Sequence, residues 1–186
     1  MTTSTTWSGN INVYGNVDVK GSLFGVSNVG VATQAVYYVM NDGTVRVCGR
    51  NDAGQLGLND IQTTRSTVVS MLGICSQAVA VACGNQFMAI LMNDGTVRVC
   101  GVNNNGQLGL NDLITRSTVV SVLGICSQAV SLGPMITSMA VIMSDGRVMV
   151  CGNNSGGQLG QNDIADRSTV VPVLGICSQA VSVAGG

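Results

Sequence analysis

The feature that most limits the fold is a twenty-residue phrase written three times. "NDGTVRVCGRNDAGQLGLND" begins at Asn41, "NDGTVRVCGVNNNGQLGLND" at Asn93 and "SDGRVMVCGNNSGGQLGQND" at Ser144, at offsets of 52 and 51 residues. Each is followed by "RSTVV", opening at Arg65, Arg116 and Arg167, and then by "LGICSQAV", identical in all three copies. Units that recur at such a period stack on one another, each burying an apolar face against the next. The repeat therefore dictates the architecture.

Within a unit, "AILM-ND-GTVRVCG" reads as two apolar strands joined at an Asn-Asp-Gly turn, with Gly43, Gly95 and Gly146 supplying positive φ. "GQLG" is a second tight turn whose glycines permit close backbone approach. "STVVSVLG" is β-branched and strand-like, and "SQAVSVA" reads as the last short strand of the unit. No helical period is present. Apolar or long side chains on both faces of residues 44–48 point to sheets covered on both sides. The expectation is an all-β chain of β-propeller-type blades, with units at about 31–82, 83–133 and 134–186.

These residues resemble the regulator of chromosome condensation repeat family. The likeness rests on D-G-x-V-x-V-x-G-x-N-x-x-G-Q-L-G, then R-S-T-x-V, then V-x-V-A-x-G, across residues 31–186. It implies four-stranded blades in a propeller, with the shared residues building blades and function carried on variable loops. Cys48, Cys100 and Cys151 stand where the family usually has tryptophan, and Ala35, Phe87 and Ser138 where it usually has histidine. Three units are fewer than the roughly four that a closed ring needs. An open arc, or a surface completed by several chains, is expected. Guanine-nucleotide exchange on a small GTPase is implied by family analogy alone, and the missing blades argue against it.

Composition narrows the function. Of 186 residues only 9% are charged, against roughly a quarter in ordinary globular proteins. Lys20 is the only lysine and the net charge is −1, so no basic patch for nucleic acid can be assembled. The longest apolar stretch, residues 79–92, is interrupted by Gly84, Asn85 and Gln86, and no membrane span is expected. The opening "MTTSTTWSGN" lacks the pattern of a secretory signal, so synthesis in the cytoplasm is expected.

Catalytic chemistry finds no foothold. With no histidine, the commonest base and metal ligand is missing. The seven cysteines form no C-x-x-C pair; six recur with the repeat, at 48, 75, 100, 126, 151 and 177, and read as packing residues. Asp42, Asp94 and Asp145, like Asp60, Asp112 and Asp163, read as turn residues, and Gln55, Gln107 and Gln158 as ties within GQLG. A non-enzymatic protein with no cofactor and no metal is expected. Arg65, Arg116 and Arg167 are the candidate partner-binding row; the alternative is that they bond carbonyls or a neighbouring blade's aspartate.

The N-terminal "GNINVYGNVDVKGSLFGV" has glycine at every sixth position, at 9, 15 and 21. Ile11, Val13, Val17, Val19 and Leu23 alternate with polar residues, as in short half-buried strands. The phrase resembles the stems of trimeric phage and virus fibres, and residues 1–30 are expected to join chains through those five side chains. The alternative is a strand packed on the first blade. The resulting expectation is a structural protein of a virion, a homo-oligomer with a trimer favoured, presenting its repeats to other virion proteins. The alternative is a cytoplasmic propeller module that regulates or inhibits a protein partner.

Overall fold

The computed structural model describes residues 25–62, 64–176 and 178–183. Among them, twelve strands form three four-stranded antiparallel sheets. The first blade holds β1 (Val26–Val31), β2 (Ala35–Met40), β3 (Val45–Arg50) and β4 (Thr64–Ser70). The second holds β5 (Ala78–Cys83), β6 (Phe87–Met92), β7 (Val97–Gly101) and β8 (Arg116–Ser121). The third holds β9 (Ala129–Pro134), β10 (Ser138–Met143), β11 (Val148–Gly152) and β12 (Arg167–Pro172). Each sheet is a meander of neighbouring strands, and no helix among the described residues is long and apolar enough to cross a membrane.

The Asn-Asp-Gly phrase makes the β6–β7 hairpin. Gly95 takes φ +76°, and Asp94 Oδ1 accepts from the Thr96 amide at 2.9 Å and the Thr96 hydroxyl at 2.7 Å. That geometry sets the register, with Ile90 opposite Arg98 and Ala89 opposite Val99. Every residue of β6 is buried, and its two faces serve two different cores. Met88, Ile90 and Met92 pack against Tyr37, Val39 and Val47 of the first blade. Phe87, Ala89 and Leu91 pack with Met139, Val141 and Met143 of the third. A central blade strand is therefore apolar throughout rather than alternating.

Among the described residues, no second sheet covers the first blade. In β2, Ala35, Tyr37 and Val39 are buried, while Val36, Tyr38 and Met40 on the other face are only half-buried. Among the described residues, the three blades thus form an arc whose first sheet has one face that no other sheet covers.

The sheets begin at Val26, Ala78 and Ala129 rather than at 31, 83 and 134. The segment after "SQ" opens the next blade instead of closing its own, because a tight turn links it to the strand that follows. Ala82 pairs with Ala89 and Val81 with Ile90. Residues 26–30 lie in β1. The stem side chains Ile11, Val13, Val17, Val19 and Leu23 lie outside the described residues.

Candidate protein-docking rim

The second half of each repeated phrase builds the loop between the third and fourth strands of a blade. Its centre is an asparagine: Asn51, Asn103 and Asn154 are fully buried. In the second blade, Asn103 Nδ2 donates to the Asp112 carbonyl at 2.9 Å and to Asp112 Oδ1 at 3.0 Å, and Asn103 Oδ1 accepts from the Leu108 amide at 2.9 Å. Gln107 Oε1 accepts from the Asn105 amide at 2.9 Å, as Gln55 does from Ala53 and Gln158 from Gly156. Leu56, Leu108 and Leu159 are buried beneath the loops.

The arginines close the clasp. Arg116 Nη2 meets Asp112 Oδ2 at 2.5 Å, and Nη1 donates to the Ile114 carbonyl at 2.6 Å. Arg167 meets Asp163 at 2.6 Å, and Arg65 pairs with Asp60. The partner is thus an aspartate of the same loop, not of a neighbouring blade. The Ile114 amide and Arg116 hold the Asp112 carboxyl below its ordinary range, and Arg167 with the Ala165 amide does the same for Asp163.

The two glycines of GQLG latch the first and second loops to the next blade. The Asn59 amide donates to the Ser117 carbonyl at 2.9 Å, and the Asn111 amide to the Ser168 carbonyl at 2.8 Å. A Cβ on Gly54 would lie 2.4 Å from Ser117 Cα, and one on Gly106 the same distance from Ser168 Cα. Two of the three cysteines that stand where the family usually has tryptophan share this contact. Cys100 Sγ lies 3.3 Å from the Gln55 carbonyl and Cys151 Sγ 3.5 Å from that of Gln107. Burial pushes both thiols up to about 12. They act as packing residues with a weak donor.

With its polar groups satisfied inward, each clasp ends in exposed aliphatic side chains. Ile61 is 65% exposed, Leu113 57%, Ile114 64% and Ile164 71%. Strand alternation puts all three loops on one rim of the arc, so the same chemistry recurs blade after blade. The signal was present in the sequence as an apolar residue after "ND" in each copy, and the recurrent asparagine preceded GQLG each time.

On the opposite rim, Asp42 and Asp94 bond Thr44 and Thr96, and Asp145 bonds Arg147, so these carboxylates cap their own turns. No group of three or more metal-ligating side chains comes together among the described residues. A small cleft between the first two blades is lined by Gln34, Arg50, Gln55 and Asn85, but Arg50 is already bound to Gln34 and Asp52.

The family model described as "Regulator of chromosome condensation (RCC1) repeat" matches residues 78–107, from the start of β5 into the GQLG loop. "Probable E3 ubiquitin-protein ligase HERC4" of Mus musculus is 32% identical over 160 residues, 83% of this chain. The chain belongs to the RCC1 repeat family. The human "X-linked retinitis pigmentosa GTPase regulator" is 33% identical over 121 residues, 63% of this chain. The chain spans only 15% of the ligase and 12% of the GTPase regulator. The solved RCC1-type structure of Prp20p from Saccharomyces cerevisiae, described by its binding to Gsp1p and histones, matches with TM-score 0.69 and 17% identity. That match covers 87% of this chain and 42% of Prp20p, and it shows the fold. Neither the ligase nor the GTPase regulator is described as a virion component.

Proposed function

We propose that the chain is a protein-binding module of regulatory type, and that its partner docks on the rim carrying Ile61, Leu113, Ile114 and Ile164. The observation that supports this is the clasp. Buried asparagines, GQLG ties and Asp–Arg pairs stiffen three loops whose outermost side chains are apolar and exposed. Aliphatic groups held rigidly and repeatedly at the surface suit a partner that covers them, because little side-chain and loop entropy remains to be lost on binding. Arg65, Arg116 and Arg167 serve in this reading as positioning residues.

Immobilised chain and its Ile61→Ser, Leu113→Ser, Ile164→Ser variant should be compared by affinity capture with quantitative mass spectrometry. A protein retained by the parent and reduced about tenfold by the variant, at equal thermal midpoint, is the expected result. Equal retention by both overturns the assignment of the rim. The stem reading of Ile11, Val13, Val17, Val19 and Leu23 is a separate proposal. It requires that Val13→Asp with Val17→Asp lower the assembled mass in light scattering, and an unchanged mass refutes it.

A further inference from the structure

The arc is chemically self-complementary from end to end. We infer that a second copy of this chain docks head to tail, its first blade seating on the third blade of its neighbour through the latch already seen within the chain. This rests on the blade-to-blade contacts and is independent of the rim.

At the third blade, the latch is complete but empty among the described residues. Gly157 corresponds to Gly54 and Gly106, and takes φ +74°, yet a Cβ there would meet nothing within 4 Å. At the first blade, the receiving parts are present and uncovered. Ser66 corresponds to Ser117 and Ser168, the residues on which Gly54 and Gly106 close. Val68, 48% exposed, corresponds to Val119 and Val170, which lie 2.8 Å and 3.1 Å from a Cβ on Gly57 and Gly109. Tyr38 and Met40 lie half-buried on the open face of β2, where the second and third blades bury Ile90 and Met92, and Val141 and Met143. Docking in trans would continue an interface that this chain forms twice within itself.

One element stands in the way, and it sharpens the proposal. Residues 180–183 occupy the place that a first strand takes in the first two blade-to-blade contacts. The Ala180 amide donates to the Gly146 carbonyl at 3.1 Å, as Ala78 does to Gly43 and Ala129 to Gly95 at 3.0 Å. Val183 covers Gly133 as Val81 covers Gly30. The hold is slight, since the segment is not part of any sheet and Val181 is 91% exposed. An incoming β1 needs this slot, so residues 180–183 act as a plug that the second copy displaces. A contact of this kind is heterologous, and copies joined by it close into a ring or extend as a filament.

Sedimentation velocity on the full chain, over a concentration series, tests the inference. The parent should show concentration-dependent growth in mass. Gly157→Ala strains the left-handed backbone of its own turn but finds open space around its methyl group in the free chain, and that group would strike Ser66 of the incoming copy. It should weaken association at least about tenfold, the scale of a lost hot-spot contact. Tyr38→Arg should do the same from the other end, and Val183→Asp, which loosens the plug, should strengthen it. Mixing Gly157→Ala with Tyr38→Arg leaves one intact head and one intact tail, and should yield dimers only. Thermal melts and circular dichroism check that each variant is folded. A parent that stays monomeric at every concentration overturns the inference, as does association that none of the three substitutions alters.

Discussion

Asn103→Ala is the most informative single substitution in the loop that carries the rim. The amide is fully buried and makes three hydrogen bonds, two donated to Asp112 and one accepted from Leu108. The two bonds donated to Asp112 are worth about 1 kcal/mol net each, and loss of the third leaves the Leu108 amide without its acceptor, at a desolvation penalty of about 1–3 kcal/mol. A loss of about 3–5 kcal/mol follows, a large share of the roughly 5–15 kcal/mol that holds a domain folded. Urea denaturation measures it as a shift in midpoint at constant slope. Amide exchange at Leu108 locates the loss in the loop. Ile114→Ser, at an exposed crest position, should change stability by less than about 0.5 kcal/mol. The Arg116–Asp112 pair lies near the surface, and Arg116→Gln should shift the midpoint far less than Asn103→Ala. A cost below about 1 kcal/mol for Asn103→Ala would refute the reasoning that the asparagine, rather than the ion pair, organises the clasp.

Further outcomes follow from the same geometry. Gly95→Ala should be costly, because a Cβ there would sit 2.6 Å from the Ser127 carbonyl carbon, whereas Gly73→Ala meets nothing within 4 Å. The second should lose only the left-handed backbone term of about 1–2 kcal/mol and the first distinctly more, as compared by thermal midpoints. Thiol labelling followed by mass spectrometry should modify the exposed Cys75 and Cys126 quickly and spare the buried Cys100 and Cys151 until the chain unfolds. The folded-state carboxyls of Asp42, Asp94, Asp112, Asp145 and Asp163 are held below their ordinary range. Their stabilising contribution is present above the unfolded value of about 4 and is lost as pH falls through the lower folded values. Thermal midpoints should therefore be flat for this contribution near neutrality and fall below about pH 4; a midpoint that rises on acidification would contradict it.

The blade was legible in the sequence because its determinants are local. The Asp94-Gly95 turn, the apolar run of β6 and the GQLG ties each lie within a few residues of their partners. The blade boundary was harder. Ala78–Cys83 follows a loop after β4 and precedes a tight turn into β6, and only the shorter link marks the strand it pairs with. The arginine partner was missed because Asp112 and Arg116 are brought together by the turn between them, which the spacing alone does not show to be tight. The aliphatic rim was passed over because a single exposed leucine carries no information. Its meaning comes from recurrence on three loops that the fold brings to one edge.

The central claim is that this rim, and not the opposite one, meets a protein partner. Hydrogen exchange on the chain, free and bound to the protein recovered by capture, tests it directly. The account predicts protection concentrated in residues 58–62, 110–115 and 161–166, with the Asn-Asp-Gly turns unchanged. Protection confined to the turns at 41–44, 93–96 and 144–147 would contradict it.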